Sequence, residues 1–241
     1  LRKTAAPMVT HGQGAMETPV SFEFNLIQVD IQDKVAFVTL DNPPINLITM
    51  ELLGELTTLS SRLKADPDLS VVVLRSADPD FFLAHFDVSA ILDRPTHFEP
   101  QRDVQLKPFH ALCERFRTMD KVTIAQIEGR VGGGGSELAA SFDMRFGVRG
   151  KTIINQMEVP LGILPGGSGT QRLPRLIGRG RALEVILGGD DLDAETAERW
   201  GYLNRIFAPE DIGAHVTALA NRIASFPAPA VRRAKERVNA A

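Results

Sequence analysis

Two short apolar runs set the strongest constraint on the fold. Val71-Val72-Val73-Leu74 is continuous, and Val122-Thr123-Ile124-Ala125-Gln126-Ile127 is nearly so. A strand with one wet face alternates with polar residues; runs like these read as strands covered on both faces. A third, 144–148, follows. Helical patterns separate and succeed them at 50–64, 104–119, 136–142, 169–177, 179–187, 194–200 and 211–225. Strands separated by helices build βαβ units and an α/β fold. Residues 22–40 read as a hairpin, with Ile27, Val29 and Ile31 alternating with polar residues and Gln32-Asp33-Lys34 as the turn. Asn42-Pro43-Pro44 breaks the backbone. Thr49 is placed to cap the first helix, whose Leu52, Leu53, Leu56 and Leu59 share one face. A polar loop with Pro95 and Pro100 leads into the second.

Composition narrows the class. The 241 residues are 44% hydrophobic and 24% charged, which excludes a disordered chain, a disulfide miniprotein and a fibrous repeat. A net charge of −3 gives no basic excess to attract nucleic acid or an anionic membrane. The single Cys113 has no internal partner for a disulfide, so a reducing, cytoplasmic setting is expected. No apolar run approaches the ~18 residues of a membrane span. Residues 1–20 lack both periodicity and the apolar core of a secretory signal. They read as a leader or tag in preference to a native disordered arm, with a transit-peptide remnant at Arg2 and Lys3 as a weaker reading. Nothing marks a linker within 21–225, so one domain with a helical C-terminal part is expected.

Several motifs fail on inspection. Gly150-Lys151-Thr152 ends like a phosphate loop, but Arg145 stands where that loop needs glycine. Gly166-Gly167-Ser168-Gly169-Thr170 resembles a nucleophile elbow but has Thr170 in the place of the last glycine. A dinucleotide fingerprint at 132–137 fails at Glu137. No Cys/His cluster has metal spacing.

The informative stretch is Gly129-Arg130-Val131-Gly132-Gly133-Gly134-Gly135-Ser136-Glu137-Leu138. Four consecutive glycines lose much entropy on folding, so the turn needs positive φ or close approach by a backbone or ligand. Free N–H groups at a strand-to-helix junction suit a developing oxyanion. A plain tight turn has equal standing. Glu137, in the first turn beyond the glycines, reads as a helix cap or as a general acid or base. Glu158 reads, on sequence alone, as a solvated loop acid.

Here the residues carry a resemblance. The stretch 129–143 resembles a signature of the crotonase superfamily, the enoyl-CoA hydratase/isomerase family. Glu158-Val159-Pro160-Leu161-Gly162-Ile163-Leu164-Pro165-Gly166, followed by Gly169-Thr170-Gln171-Arg172-Leu173, resembles a second hallmark. Asn42-Pro43-Pro44-Ile45-Asn46, Phe82-Leu83-Ala84-His85-Phe86-Asp87 and residues 194–204 extend the likeness over about 24–238. The resemblance implies an α/β fold of the crotonase-like ββα spiral type, with a spiral core over 21–195 and a C-terminal helical region over 196–241. It implies homotrimers or dimers of trimers.

It further implies an acyl-CoA thioester substrate and no cofactor, CoA being part of the substrate. Backbone amides at Ala84 and Gly134 would form the oxyanion hole, within a substrate-binding set of Ala84, His85, Phe86, Asp87, Gly133 and Gly134. Glu137 and Glu158 would add water to a 2-trans-enoyl-CoA, making the chain a hydro-lyase. Double-bond isomerisation or another enolate-forming reaction is one alternative, and a non-catalytic binding protein with this fold is another. The family's usual Ala-Gly-Ala-Asp is replaced here by Ala84-His85-Phe86-Asp87. His85 reads first as solvent-facing and second as a polar group over the site; Phe86 reads as narrowing the acyl pocket. Arg232, Arg233, Lys235 and Arg237 read mostly as a solvated face, with CoA phosphates as an alternative partner for some. The chain ends at Ala241 within a helix expected from about Pro229, which leaves truncation, disorder or a shortened branch open.

Overall fold

The computed structural model describes residues 23–92 and 105–240. The leader at 1–20 and the loop containing Pro95 and Pro100 lie outside the described residues.

β1 (Ile27–Gln32) and β2 (Val35–Leu40) form the expected hairpin, with Ile27 opposite Leu40 and Gln32 opposite Val35. Its two-residue turn, Asp33-Lys34, has φ of 45° and 70°, the positive pair that matches strand twist. α1 (Met50–Ala65) starts where the Thr49 side chain accepts the Leu52 N–H at 3.2 Å, and it buries the four predicted leucines. The chain continues through β3 (Val71–Ser76), β4 (Phe81–Leu83), α2 (Val88–Leu92), α3 (Pro108–Thr118), β5 (Val122–Ile127), β6 (Arg130–Gly132), α4 (Gly133–Ala139), β7 (Met144–Val148) and β8 (Ile153–Asn155). After a 3-10 turn (Val159–Leu161) come α5 (Gly169–Ile177), α6 (Arg179–Gly188), β9 (Leu192–Asp193), α7 (Ala194–Trp200), β10 (Arg205–Phe207), α8 (Pro209–Ala224) and α9 (Ala228–Ala240).

A large sheet runs β1-β2-β3-β5-β7-β10, parallel from β2 onward, and a small one runs β4-β6-β8-β9. Each of β3, β5 and β7 is followed within a few residues by one short strand of the small sheet. Three such turns stack with their strands parallel, which is the geometry of a ββα spiral. All six residues of β5 are buried, as its apolar run predicts. One face of the large sheet is covered by α8 through Ile212, Val216, Ala220 and Ala224, spaced four apart; α1, α3 and α4 enclose the other core.

Two expectations change. The helix after the glycines begins at Gly133 rather than at residue 136, so Glu137 sits in its second turn. Lys235 does not belong to a solvated face: its Nζ lies 2.8 Å from Asp143 Oδ2 and donates to the Lys121 carbonyl at 2.7 Å. Asp143 also accepts the Thr123 N–H at 2.8 Å, so this acid ties α9 to β5.

Candidate active site

β4, β6 and β8 are parallel neighbours, so their C-terminal ends lie along one edge of the small sheet. The segments leaving that edge are 84–87, 133–137 and 156–158. They contain every catalytic, oxyanion-hole and substrate-binding position that the resemblance implies, delivered by three successive turns of the spiral.

The middle segment is shaped by glycine. Gly133 has φ of 46°, the left-handed region in which a side chain is strained. A Cβ at Gly135 would lie 2.5 Å from the Leu83 carbonyl oxygen, so β4 backbone occupies that place. The close packing brings α4 onto β4 and sets Gly134 beside Phe86: a Cβ at Gly134 would be 3.1 Å from Phe86 Cβ. α4 has only seven residues, so any anion affinity here rests on individual N–H groups rather than on a long helix dipole.

Glu137 is 2% exposed. The Gly167 N–H lies 2.8 Å from both of its carboxylate oxygens, and the Gly169 N–H donates to Oε1 at 2.6 Å. Between these glycines Ser168 adopts φ of 89°, and its hydroxyl accepts from Arg172 Nε at 2.7 Å. Arg172 is held in turn by Glu114 at 3.1 Å. The segment dismissed above as a failed nucleophile elbow is therefore the cradle of the first acid. Its signal in the sequence was the pair of glycines flanking one polar residue.

Glu158 is also buried, contrary to the solvated-loop reading. Gln156 Nε2 lies 3.0 Å from each of its oxygens, and Glu158 Oε1 is 3.3 Å from the place a Gly133 Cβ would take. His85 reaches the same point, its Cβ 3.4 Å away, so it is half-buried against the second acid rather than solvent-facing. Its Nδ1–H donates to the Phe86 carbonyl at 2.8 Å. Gln156 carries no signal of its own in the sequence. Asp87 turns the other way, accepting from the N–H and hydroxyl of Ser89 at the start of α2. The Ala84 N–H donates to the Ile45 carbonyl at 3.3 Å, inside the fold. Around Phe86 the pairing with Ile48 uses the His85 carbonyl and the Asp87 N–H. In parallel pairing that pattern turns Phe86's own amide away from Ile48.

Burial pushes the Glu137 carboxyl up to about 8, aided by the charge of Glu158 and opposed by the Gly169 and Gly167 N–H groups. Burial also raises Glu158, against the Gln156 hydrogen bond and the His85 charge. Between 4.5, the value for a free side chain, and about 8, the folded chain keeps a proton on Glu137 that the unfolded chain has released. The stability from this group is full below the lower value and is lost as pH rises through the upper one. The melting temperature is thus expected to fall between about pH 5 and about pH 8.5, and Glu137→Gln to flatten that decline in calorimetry.

Among the described residues no group of three His, Cys, Asp or Glu side chains is placed to hold a metal, and no helix is long and apolar enough to cross a membrane. The family model described as enoyl-CoA hydratase/isomerase matches residues 30–241. A short-chain-enoyl-CoA hydratase of Clostridium acetobutylicum is 31% identical over 222 residues, which span 90% of this chain and 82% of that protein. A crotonyl-CoA hydratase of Syntrophomonas wolfei is 31% identical over 218 residues, 88% of this chain and 81% of the relative. A solved enoyl-CoA hydratase from Bacillus anthracis superimposes with a TM-score of 0.81 at 29% identity, covering 89% of this chain and 82% of that one. With the spiral, the glycine turn and the two buried acids, these matches identify the chain as a member of the enoyl-CoA hydratase/isomerase family, within the crotonase superfamily.

Proposed function

We propose that this chain adds water to the double bond of a 2-trans-enoyl-CoA thioester. The observation that carries the reading is the burial of two carboxylates, Glu137 and Glu158, at one sheet edge in unequal hydrogen-bonded settings. The family's hydratases pair two acids in this way, and relatives named as hydratases support the same reaction.

The thioester oxygen accepts the Gly134 N–H and a second amide. Because the Ala84 N–H is directed at Ile45, the second donor in this reading is the Phe86 N–H, from the residue whose Cβ packs beside Gly134. Each donor aimed at a developing enolate oxygen lowers the barrier by about 3 kcal/mol. The water oxygen bonds to the β-carbon, and the alkene electrons move towards the carbonyl as an enolate. One water proton passes to the carboxylate pair, and the pair delivers a proton to the α-carbon, so that one water is added in all. Protons on two interacting acids belong to the pair, so acid and base are assigned to both together. Glu137, pushed up by burial, keeps a proton available at neutral pH. The chemistry draws on no cofactor.

Incubation with crotonyl-CoA is expected to give a product heavier by one water, with oxygen-18 in the 3-hydroxyl group when the solvent water carries that isotope. A moved alkene at unchanged mass would replace hydration by isomerisation. Binding without turnover would replace it by a non-catalytic role.

A further inference from the structure

Both acids are buried, and neither lines the cavity of about 1340 Å³ that opens beside α3, α5 and α9. The space beside Glu137 is taken by Phe109, which packs on Phe86. Phe109 of α3 and Phe86 meet edge to face, with ring centroids 5.3 Å apart, and both are buried. The Phe109 ring touches the two backbone segments that the reaction needs. Its Cε1 and Cζ lie 3.4 Å from the place of a Gly134 Cβ. Its Cε1 lies 2.3 Å from the place of a Gly167 Cβ, and that same point is 2.7 Å from Glu137 Oε2. One ring edge therefore bridges the amide proposed to hold the thioester and the loop that grips the first acid.

We propose that Phe109, braced by Phe86, is the specificity-determining residue that stops the acyl group just beyond the alkene, so that the substrate is a short-chain enoyl-CoA. The inference rests on the hydratase reading and names the substrate class of that site. An aromatic ring wedged between two glycines has no free volume into which to retreat, since core packing leaves few voids. The glycines at 134 and 167 make room for ring and reacting group together, and methylenes past the β-carbon compete with the ring for the same place. Leu106, just before α3, and His110, beside Phe109 on it, line the large cavity, as does Ser168, next to Gly167. Removing the ring gives a longer chain a way towards that space.

The test compares Phe109→Ala and Phe109→Leu with the parent protein in two measurements. Turnover is measured on crotonyl-CoA and on trans-2-decenoyl-CoA. Equilibrium binding is measured by calorimetry with the saturated butanoyl-CoA and decanoyl-CoA. The parent is expected to favour the shorter member of each pair at least tenfold. Phe109→Ala is expected to raise the long-to-short ratio about tenfold in both measurements, and Phe109→Leu, which still folds if alanine leaves too large a gap, to raise it less. Equal handling of both lengths by the parent, or ratios unmoved in a folded variant, would overturn the inference while leaving hydration intact. Length discrimination in binding without hydration of either substrate would instead overturn the reaction and support the ring as a stop.

Discussion

Glu137→Gln is expected to lower kcat for crotonyl-CoA hydration by about 10³-fold, within the range for loss of a positioned acid–base group. The substitution is nearly isosteric. A Gln oxygen in the place of Oε1 still accepts the N–H groups of Gly167 and Gly169, and only the Gly167 contact to Oε2 is lost. What disappears in the proposed reaction is the proton that the pair exchanges with water and the α-carbon. The fold does not weaken with it, because above about pH 8 the parent bears a buried charge that the amide lacks. Steady-state rates and melting curves on the same preparation separate the two roles. A large fall in kcat with an unchanged or raised melting temperature identifies Glu137 as part of the chemistry. A rate within tenfold of the parent would remove it.

A large effect on stability is expected from Gly135→Ala. The added methyl would lie 2.5 Å from the Leu83 carbonyl oxygen and 2.7 Å from Leu83 Cβ, against backbone that cannot swing aside like a side-chain tip. Overpacking of this kind costs about 3 kcal/mol. For a chain of this size that lowers the melting temperature by about 10 °C. α4 must also lift from β4, which moves Gly134 away from Phe86, so activity is expected to fall further than the unfolded fraction explains. Gly54→Ala, in the exposed middle of α1 with nothing within 4 Å of the new methyl, is the contrast. There alanine gains about 0.5–1 kcal/mol of helix preference. Thermal scans in which both substitutions behave alike would refute the packing argument.

Much of the frame was legible in the residues themselves. The strand at 122–127 matches its apolar run because all six positions are covered, and Thr49 caps α1 because the hydroxyl reaches the Leu52 N–H. The small sheet was not legible: β4, β6 and β8 are three residues each, too short to show a period, and they pair only once the spiral closes. The site divides along the same line. Glu137 stood out because it lies two residues beyond the glycine run. The burial of Glu158 comes from Gln156, His85 and Gly133, which arrive from three different strand ends. The direction of the Ala84 amide depends on pairing with Ile45 in a distant segment, which a motif does not encode. Phe109 reads as an ordinary core position of α3 until the fold sets its ring between Gly134 and Gly167.

The stacking of β4, β6 and β8 has a consequence for how such chemistry diversifies. Spacing between adjacent parallel strands is set by hydrogen bonding at about 4.8 Å, whatever side chains the strands bear. The distance from one reactive loop to the next is thus inherited from the backbone, and each loop can be rewritten without moving its neighbours. A new acid at the end of β8 or a new ring on α3 would alter what is made or accepted, while the proposed grip on the thioester keeps its shape.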